Sequence, residues 1–273
     1  MFTPIGFFAP SAAGFDPTLG GTLSVAYHWD FTDSSTMTLS GTDLDNITDK
    51  VGSITMQPYT GTNKATFDGT KCIWSSPTNT NGAYYNTTNW IPTEMYRGAD
   101  FTIVQMLTNT SWPVGTTIQN PWSLIGNASG NGHNNLRMAV HSPGYDPYPG
   151  GACPLGGNYY YWLGRWSSGW RRIRQEWDGT TAQQVKNMVT SVHSPSQVNG
   201  YRYQISLNDS TYCDANDSIT TAEQAGGGFT IGGAVEGTSN SRAWTGDLYH
   251  TVVYDQVLTE TEKDDLYTAW STF

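Results

Sequence analysis

A twenty-residue stretch, 158–177, concentrates the side chains of this chain that are best suited to bind a ligand. It reads NYYYWLGRWSSGWRRIRQEW and holds three Tyr, four Trp and four of the eight Arg. Tyr and Trp beside Arg are typical of protein interfaces, of surfaces that stack on sugars and of single-stranded nucleic-acid sites. The same residues also fit two strands whose aromatic rings are buried and covered by arginine stems.

If a glycan binds, we expect its contacts to lie in or beside the Gly- and Pro-rich region 141–170. Arg165 and Arg171 would donate hydrogen bonds to hydroxyls or carboxylates. Four aromatic residues would stack on the apolar faces of the sugar: Tyr145, Tyr148, Trp166 and Trp170. The competing interpretation, in which these residues belong to a core or a subunit interface, stays open from the sequence.

The charge of the chain weighs against nucleic acid. The net charge is −10 and the isoelectric point is near 4.7, whereas nucleic-acid-binding domains are usually strongly basic. No apolar run reaches the 18 residues of a membrane span, and the apolar N-terminus lacks the basic region of a signal peptide. We therefore expect neither a nucleic-acid nor a membrane partner.

Metal and catalytic motifs are sparse. The sequence contains no nucleophile elbow, zinc-protease motif, phosphate loop or dinucleotide fingerprint. The five His are isolated, and the three Cys (Cys72, Cys153, Cys213) leave open whether a disulfide forms. Four residues partly resemble an acidic calcium loop but lack its Gly and terminal Glu: Asp43, Asp45, Asn46 and Asp49. We expect no metal and no other cofactor, with calcium at this loop as the weaker alternative to a solvated turn.

The elements that must position these residues are mostly short strands. YRYQISL (201–207) alternates apolar and polar residues with the period of two of a half-buried strand. Further β-rich runs lie at 64–69, 71–75, 101–107, 228–233 and 246–255, separated by Gly, Asn, Pro and Ser clusters. This organisation predicts an all-β, two-sheet antiparallel sandwich.

One helix is predicted, at the C-terminal end. In LTETEKDDLYTAW, Thr259 is a suitable N-cap and Glu262 stands three residues later, which makes a capping box. Leu266 and Trp270 fall on one face, so we expect both to be buried against the sheets.

The last 45 residues resemble the concanavalin A-like (laminin-G-like) jelly-roll superfamily. The resemblance rests on Ile231–Gly233, Trp244 with Gly246, the Tyr254–Asp255 pair and the helix start at Leu258–Glu262, and it extends loosely over 22–273. It implies a jelly roll in which Gly246 lets the last strand approach its neighbour closely. It also implies that the terminal helix covers an edge or end of the sandwich.

Enzymes of this superfamily allow a direct test for glycosidase activity. Laminarinase-type relatives carry E-x-D-x-x-E, whose two Glu act as nucleophile and acid/base. Here EWDGTT supplies Glu176 and Asp178, but Thr181 stands where the second Glu should be. Retaining glycosidases need both carboxyls, so the chain is expected not to be an enzyme.

The first 21 residues are expected to form an extended arm ahead of a single domain at 22–273. This arm is apolar and rich in Pro and Gly, so it cannot form a regular helix. Phe7, Phe8 and Phe15 would anchor it to a partner, either another copy in a homo-oligomer, with a trimer favoured, or a different protein. An arm lying across its own sandwich is the alternative.

Two functional hypotheses follow from these observations. The chain resembles laminin-G-like proteins of phage tails and capsid surfaces, which implies a non-enzymatic structural or adhesion protein at a virion surface. Its partners would be other virion proteins and cell-surface glycans. The alternative is a carbohydrate-binding lectin that acts alone, and a glycoside hydrolase ranks third.

Overall fold

The computed structural model describes most of the chain. The described residues are 14–59, 64–75, 82–86, 95, 99–110, 118–124, 136–141, 159–167, 169–177, 186–200, 203–208, 211–215, 228–236, 239–241 and 244–272. Within them, no helix is long and apolar enough to cross a membrane.

Nineteen strands and one α-helix make up the described part of the chain. The strands are β1 Val25–Asp30, β2 Met37–Ser40, β3 Asp43–Thr48, β4 Thr55–Pro58, β5 Thr66–Phe67, β6 Cys72–Trp74, β7 Tyr84–Tyr85, β8 Phe101–Asn109, β9 Ile118–Leu124, β10 Leu136–His141, β11 Tyr159–Ser167, β12 Gly169–Trp177, β13 Asn187–His193, β14 Tyr203–Leu207, β15 Thr211–Ala215, β16 Phe229–Ile231, β17 Ala234–Glu236, β18 Ser239–Ser241 and β19 Gly246–Tyr254. The helix is α1, Glu260–Ser271, and a 3-10 turn spans Ser34–Thr36.

The strands form an all-β antiparallel sandwich, as the sequence predicts. In the first sheet, β1 and β6 both pair with β19, and the order continues through β8, β13 and β14 to β15. The second sheet has the order β4-β7-β16-β9-β10-β11-β12. The pairing of β3 with β4 joins the two sheets at one edge.

Two apolar clusters divide the interior. One lies between the sheets and includes Ile103 and Val189 from the first sheet and Trp122 and Met138 from the second. The other lies on the outer face of the first sheet, where α1 covers residues such as Val104. The central strands β8, β13 and β19 are therefore buried along their whole length.

The helix has the predicted start. The Thr259 hydroxyl accepts a hydrogen bond from the backbone N–H of Glu262, and the Glu262 carboxylate accepts one from the backbone N–H of Thr259. Leu266 and Trp270 are buried, as expected. The helix covers the outer face of the first sheet, which includes strand β14.

Strand β14 is buried on both faces and not half-buried. Gln204 and Ser206, which the sequence places on a polar face, are as inaccessible as Ile205. Gln204 lies under α1, where its side-chain amide donates to the Glu260 carboxylate at 2.8 Å and its carbonyl oxygen accepts from the Lys263 ammonium. Gln204 is thus polar because it contacts polar side chains of the helix, although it is buried.

The strands of residues 229–255 are divided between the two sheets. β16 pairs with β7 and β9 in the second sheet, whereas β19 pairs with β1, β6 and β8 in the first. The chain between β16 and β19 crosses from one sheet to the other and includes the β17–β18 hairpin.

Candidate functional site

The aromatic- and arginine-rich stretch forms the hairpin β11–β12. Its register makes Trp166 and Trp170 direct cross-strand partners, and it does the same for Arg165 and Arg171. The two other residues expected to contact a glycan, Tyr145 and Tyr148, lie outside the described residues. The structure thus brings the backbones of four of the six expected contact residues to one hairpin end.

The hairpin extends the second sheet at its end. β11 also pairs with β10, with Met138 opposite Leu163 and Val140 opposite Tyr161. Met138 and Val140 are fully buried between the sheets. On its far side β12 comes close to β14 and β15 of the facing sheet.

The Glu that matches part of the laminarinase-type motif also lies on this hairpin. Glu176 is in β12 and is the cross-strand partner of Tyr160. Asp178 and Thr181 lie outside the described residues. The absence of glycosidase activity therefore stays a prediction.

The residues of the expected calcium loop are engaged with protein groups. Asp45 pairs with the ammonium of Lys64 and accepts from the Ser40 hydroxyl. The Asp49 carboxylate accepts hydrogen bonds from the backbone N–H groups of Val51, Gly52 and Ile54 at 2.7–3.1 Å. Asp43 and Asn46 are part of strand β3, so the four residues do not form one turn.

A different group of ligand-type side chains converges on the outer face of the first sheet. His28 and Asp30 are two residues apart on β1, and His250 on β19 is the cross-strand partner of Asp30. His28 Nε2 lies 3.2 Å from His250 Nδ1, which in turn lies 3.3 Å from Asp30 Oδ1. All three residues are buried. Alternation along the strand and pairing across it place them on one face.

The Asp30 carboxylate is held from two sides. Its Oδ1 atom accepts from the backbone N–H of Thr32 at 3.0 Å and from the Thr32 hydroxyl at 2.6 Å. Its Oδ2 atom accepts from the Lys50 ammonium at 3.0 Å, and Lys50 also binds Asp33 at 3.0 Å. Burial acts to raise the pKa of Asp30, but the charge that His250 carries at acidic pH and the bonds from Thr32 outweigh it, so the pKa lies below its ordinary value.

Both imidazoles of the cluster are neutral near pH 7. Burial lowers the pKa of His28 to about 4 and that of His250 to about 3. The nearby Asp30 carboxylate favours the charged rings, but it does not compensate for their loss of hydration. Neutral imidazoles offer nitrogen lone pairs, so the cluster presents two nitrogens and one carboxylate oxygen to a common point.

Phe15, from the segment expected to form the N-terminal arm, lies against His250 of this cluster. Its ring centre lies 5.0 Å from that of His250, and its side chain is buried in the apolar cluster under α1. The Tyr254 hydroxyl donates to the carbonyl of Pro17 at 2.9 Å. Phe15 and Leu23 thus pack on their own sandwich, as the alternative for the arm has it, and the role of Phe15 as an anchor for a partner stays a prediction. Phe7 and Phe8 lie outside the described residues.

The cluster is not visible in the sequence, where each His is isolated from the others. His28 and His250 are 222 positions apart, and local spacing carries no information about such a pair. One local feature was available: the His-x-Asp spacing of YHWD, which puts two ligand-type side chains on one face of a strand.

Cys72 is the cysteine whose side chain the structure describes. It is buried and its thiol is free, and burial raises the pKa of that thiol. Cys72 therefore behaves as a small apolar side chain of the interior.

Neither family models nor curated proteins match the chain, but solved structures do. The sialidase of Trypanosoma rangeli in complex with 2,3-difluoro-KDN matches with a TM-score of 0.59 and 11% identity, over 90% of this chain and 33% of the sialidase. The CBM40 module of the Ruminococcus gnavus IT-sialidase, bound to α2,3-sialyllactose, matches with a TM-score of 0.46 and 15% identity, over 62% and 82% of the two chains.

These likenesses concern the fold. At 11% identity, the likeness to the sialidase supports the β-sandwich fold and shows nothing about the activity of this chain. The chain spans about a third of the length of the sialidase that it matches.

Proposed function

We propose that this protein is a lectin-type carbohydrate-binding protein whose site lies on the outer face of the β10–β12 part of the second sheet. The observation that carries this proposal is the β11–β12 register, in which Trp166 is opposite Trp170. Cross-strand partners in an antiparallel pair belong to one face of the sheet. Two tryptophans at such positions suit stacking on the apolar face of a sugar ring.

The buried residues of β10 indicate which face this is. Met138 and Val140 lie in the core between the sheets, and their partners on β11 are Leu163 and Tyr161. Positions on a strand alternate between faces, so Leu163 and Tyr161 belong to the inner face. Trp166 is three positions after Leu163 on the same strand, so its position belongs to the opposite, outer face.

The same alternation supports different arginines from those first expected. Arg165 is two positions after Leu163, and Arg171 is its cross-strand partner. Both positions therefore belong to the inner face. Arg172 and Arg174 lie two and four positions after Trp170 on β12, so they belong to the outer face with it. We therefore propose Arg172 and Arg174 as donors to the hydroxyls or carboxylate of the sugar. Arginine suits this role because its planar fork can bind a carboxylate through two hydrogen bonds.

An acidic sugar is the first ligand to test. Structures similar to this chain include the T. rangeli sialidase in complex with sialic acid, with a TM-score of 0.58 and 11% identity. A sialic acid carries a carboxylate, which matches the charge of the two proposed arginines. Neutral glycans are the comparison class.

We propose no catalytic activity for the site. The support is the sequence EWDGTT, in which a Thr occupies the position of the second carboxyl. The expected role at a virion surface, as a trimer or bound to other virion proteins, stays a prediction. It is compatible with glycan binding, since an adhesion protein of a virion also needs a receptor site.

A glycan array on the intact protein tests the proposal, with sialylated and neutral glycans side by side. Arg172→Ala is expected to weaken binding at least about 10-fold, the equivalent of about 1.4 kcal/mol. Arg171→Ala is the matched control on the other face and should bind like the parent. If Arg171→Ala abolishes binding and Arg172→Ala does not, the proposed face is wrong.

A further inference from the structure

We propose that His28, Asp30 and His250 form a binding site for a divalent transition-metal ion of the zinc type, which fastens strand β1 to strand β19. This site is on the first sheet and is independent of the proposed sugar site on the second. The ligand atoms are His28 Nε2, His250 Nδ1 and one Asp30 oxygen, and all lie within 4.8 Å of one another.

The distances between the ligand atoms suit a tetrahedral ion. Zinc bonds of about 2.0–2.2 Å to nitrogen and oxygen place neighbouring ligand atoms of a tetrahedron about 3.3–3.6 Å apart. The two nitrogens are 3.2 Å apart, and His250 Nδ1 is 3.3 Å from Asp30 Oδ1. The third pair of ligand atoms, His28 Nε2 and an Asp30 oxygen, lies within 4.8 Å.

The chemistry of the three groups also suits a metal. Two imidazoles and a carboxylate are a donor set that zinc prefers, and the fourth tetrahedral position is left to water or another ligand. Without a metal, His250 Nδ1 carries one proton at most, so it can donate to only one of its two neighbours, His28 Nε2 and Asp30 Oδ1.

The surroundings support the ligands in the way that metal sites require. Thr32 and Lys50 fix the orientation of the Asp30 carboxylate through hydrogen bonds. The strands β1 and β19 that carry the ligands are paired by the sheet, and Phe15 covers His250 with an apolar ring. Such a site would tie the first described strand to the last one and would stabilise the fold.

Zinc titration of the tag-free protein by calorimetry tests this proposal. We expect one Zn²⁺ per chain for the parent and a loss of about 100-fold in affinity for His250→Gln. Thr32→Val removes a hydroxyl that orients Asp30 and is expected to cost about 10-fold. The control is His193→Gln, a buried His that contacts the carbonyl of Ala99 away from the cluster, and it should bind like the parent.

Two measurements on the parent keep the test valid if a variant fails to fold. Co²⁺ should give the visible absorption bands of a tetrahedral site, and Zn²⁺ should raise the melting temperature, since a ligand that binds only the folded state stabilises it. Absence of both effects overturns the proposal. Zinc that binds equally well to folded His250→Gln also overturns it.

Discussion

The Nε2 atom of His28 lies 3.2 Å from the Nδ1 atom of His250, although the two residues are 222 positions apart. The contact exists because β1 and β19, near opposite ends of the described chain, pair as neighbours in the first sheet. The outer face of these two strands is therefore a place where distant residues meet. On this face the N-terminal segment, α1 and the His–Asp cluster all come together.

The close approach of the last strand at Gly246 is the basis of a first prediction. Gly246 has a φ of 155°, and a Cβ atom there would lie 2.8 Å from Cζ2 of Trp244 and still closer to the carbonyl oxygen of Thr108. Gly246→Ala should destabilise the protein by about 2–4 kcal/mol, because the added atom meets backbone and a fully buried ring. Urea unfolding measures the effect.

Gly41→Ala separates steric crowding from backbone strain. Gly41 has a φ of 67°, and no atom lies within 4 Å of the point that a Cβ would occupy there, so only the left-handed conformation opposes the substitution. We expect a cost of about 1 kcal/mol there. Equal costs at Gly41 and Gly246 would show that crowding at the last strand is not important.

A second prediction concerns the buried ammonium of Lys263. It binds the Gln204 side-chain carbonyl oxygen and the Glu260 carboxylate, and burial lowers its pKa. Gln204→Leu should destabilise the protein by about 2 kcal/mol, because it removes a partner from a buried charge. The double variant with Lys263→Met should recover most of this loss, since both polar groups are then gone. Additive losses in thermal unfolding would contradict the coupling.

A third prediction uses the pH dependence of Asp33, the N-cap of the 3-10 turn. A hydrogen bond from the Ser35 hydroxyl, together with bonds from Lys50 and the Ser35 backbone, outweighs burial and lowers the pKa of Asp33 to about 2. A carboxyl group whose pKa is lowered by folding stabilises the fold at pH values above its pKa in the unfolded state. This contribution is lost as the pH falls from about 4 to 2. Asp33→Ala should cost about 1 kcal/mol at pH 7 and less at pH 2.5.

NMR titration of the Asp33 carboxyl tests the cause directly. Ser35→Ala removes the hydroxyl donor and should raise the pKa of Asp33. Thr70→Ala removes the equivalent hydroxyl contact to Asp68 in another turn and should leave Asp33 unchanged. An Asp33 pKa that is insensitive to Ser35→Ala would contradict this explanation.

Local patterns in the sequence were sufficient for the parts of the fold that depend on neighbours in the chain. The capping box at Thr259 and Glu262 is present, and Gly246 does approach its neighbouring strand closely. The capping box follows from chemistry within a few residues, whereas the close approach at Gly246 was implied by the resemblance of the last 45 residues to the jelly-roll superfamily. The sandwich itself followed from alternating runs and turn-rich connections.

Features that depend on which layers meet could not be predicted. Gln204 was placed on a polar face because no local pattern reveals that α1 covers it. The burial of Phe15 was not predicted, because the apolar surface of its own sandwich exists only in the folded chain. The arginines of the proposed sugar site are a further case, because the choice between Arg171 and Arg172 requires the register with β10, which brings Met138 opposite Leu163.

Titration of the parent and Trp170→Ala with a sialylated oligosaccharide tests the central claim most directly. We predict saturable binding by the parent and at least about a 10-fold weaker affinity for Trp170→Ala, because one stacking ring is lost. The melting temperature should stay unchanged, since the position belongs to the outer face. A Trp170→Ala variant that unfolds or dissociates, or a parent that binds neither sialylated nor neutral glycans, would contradict the account.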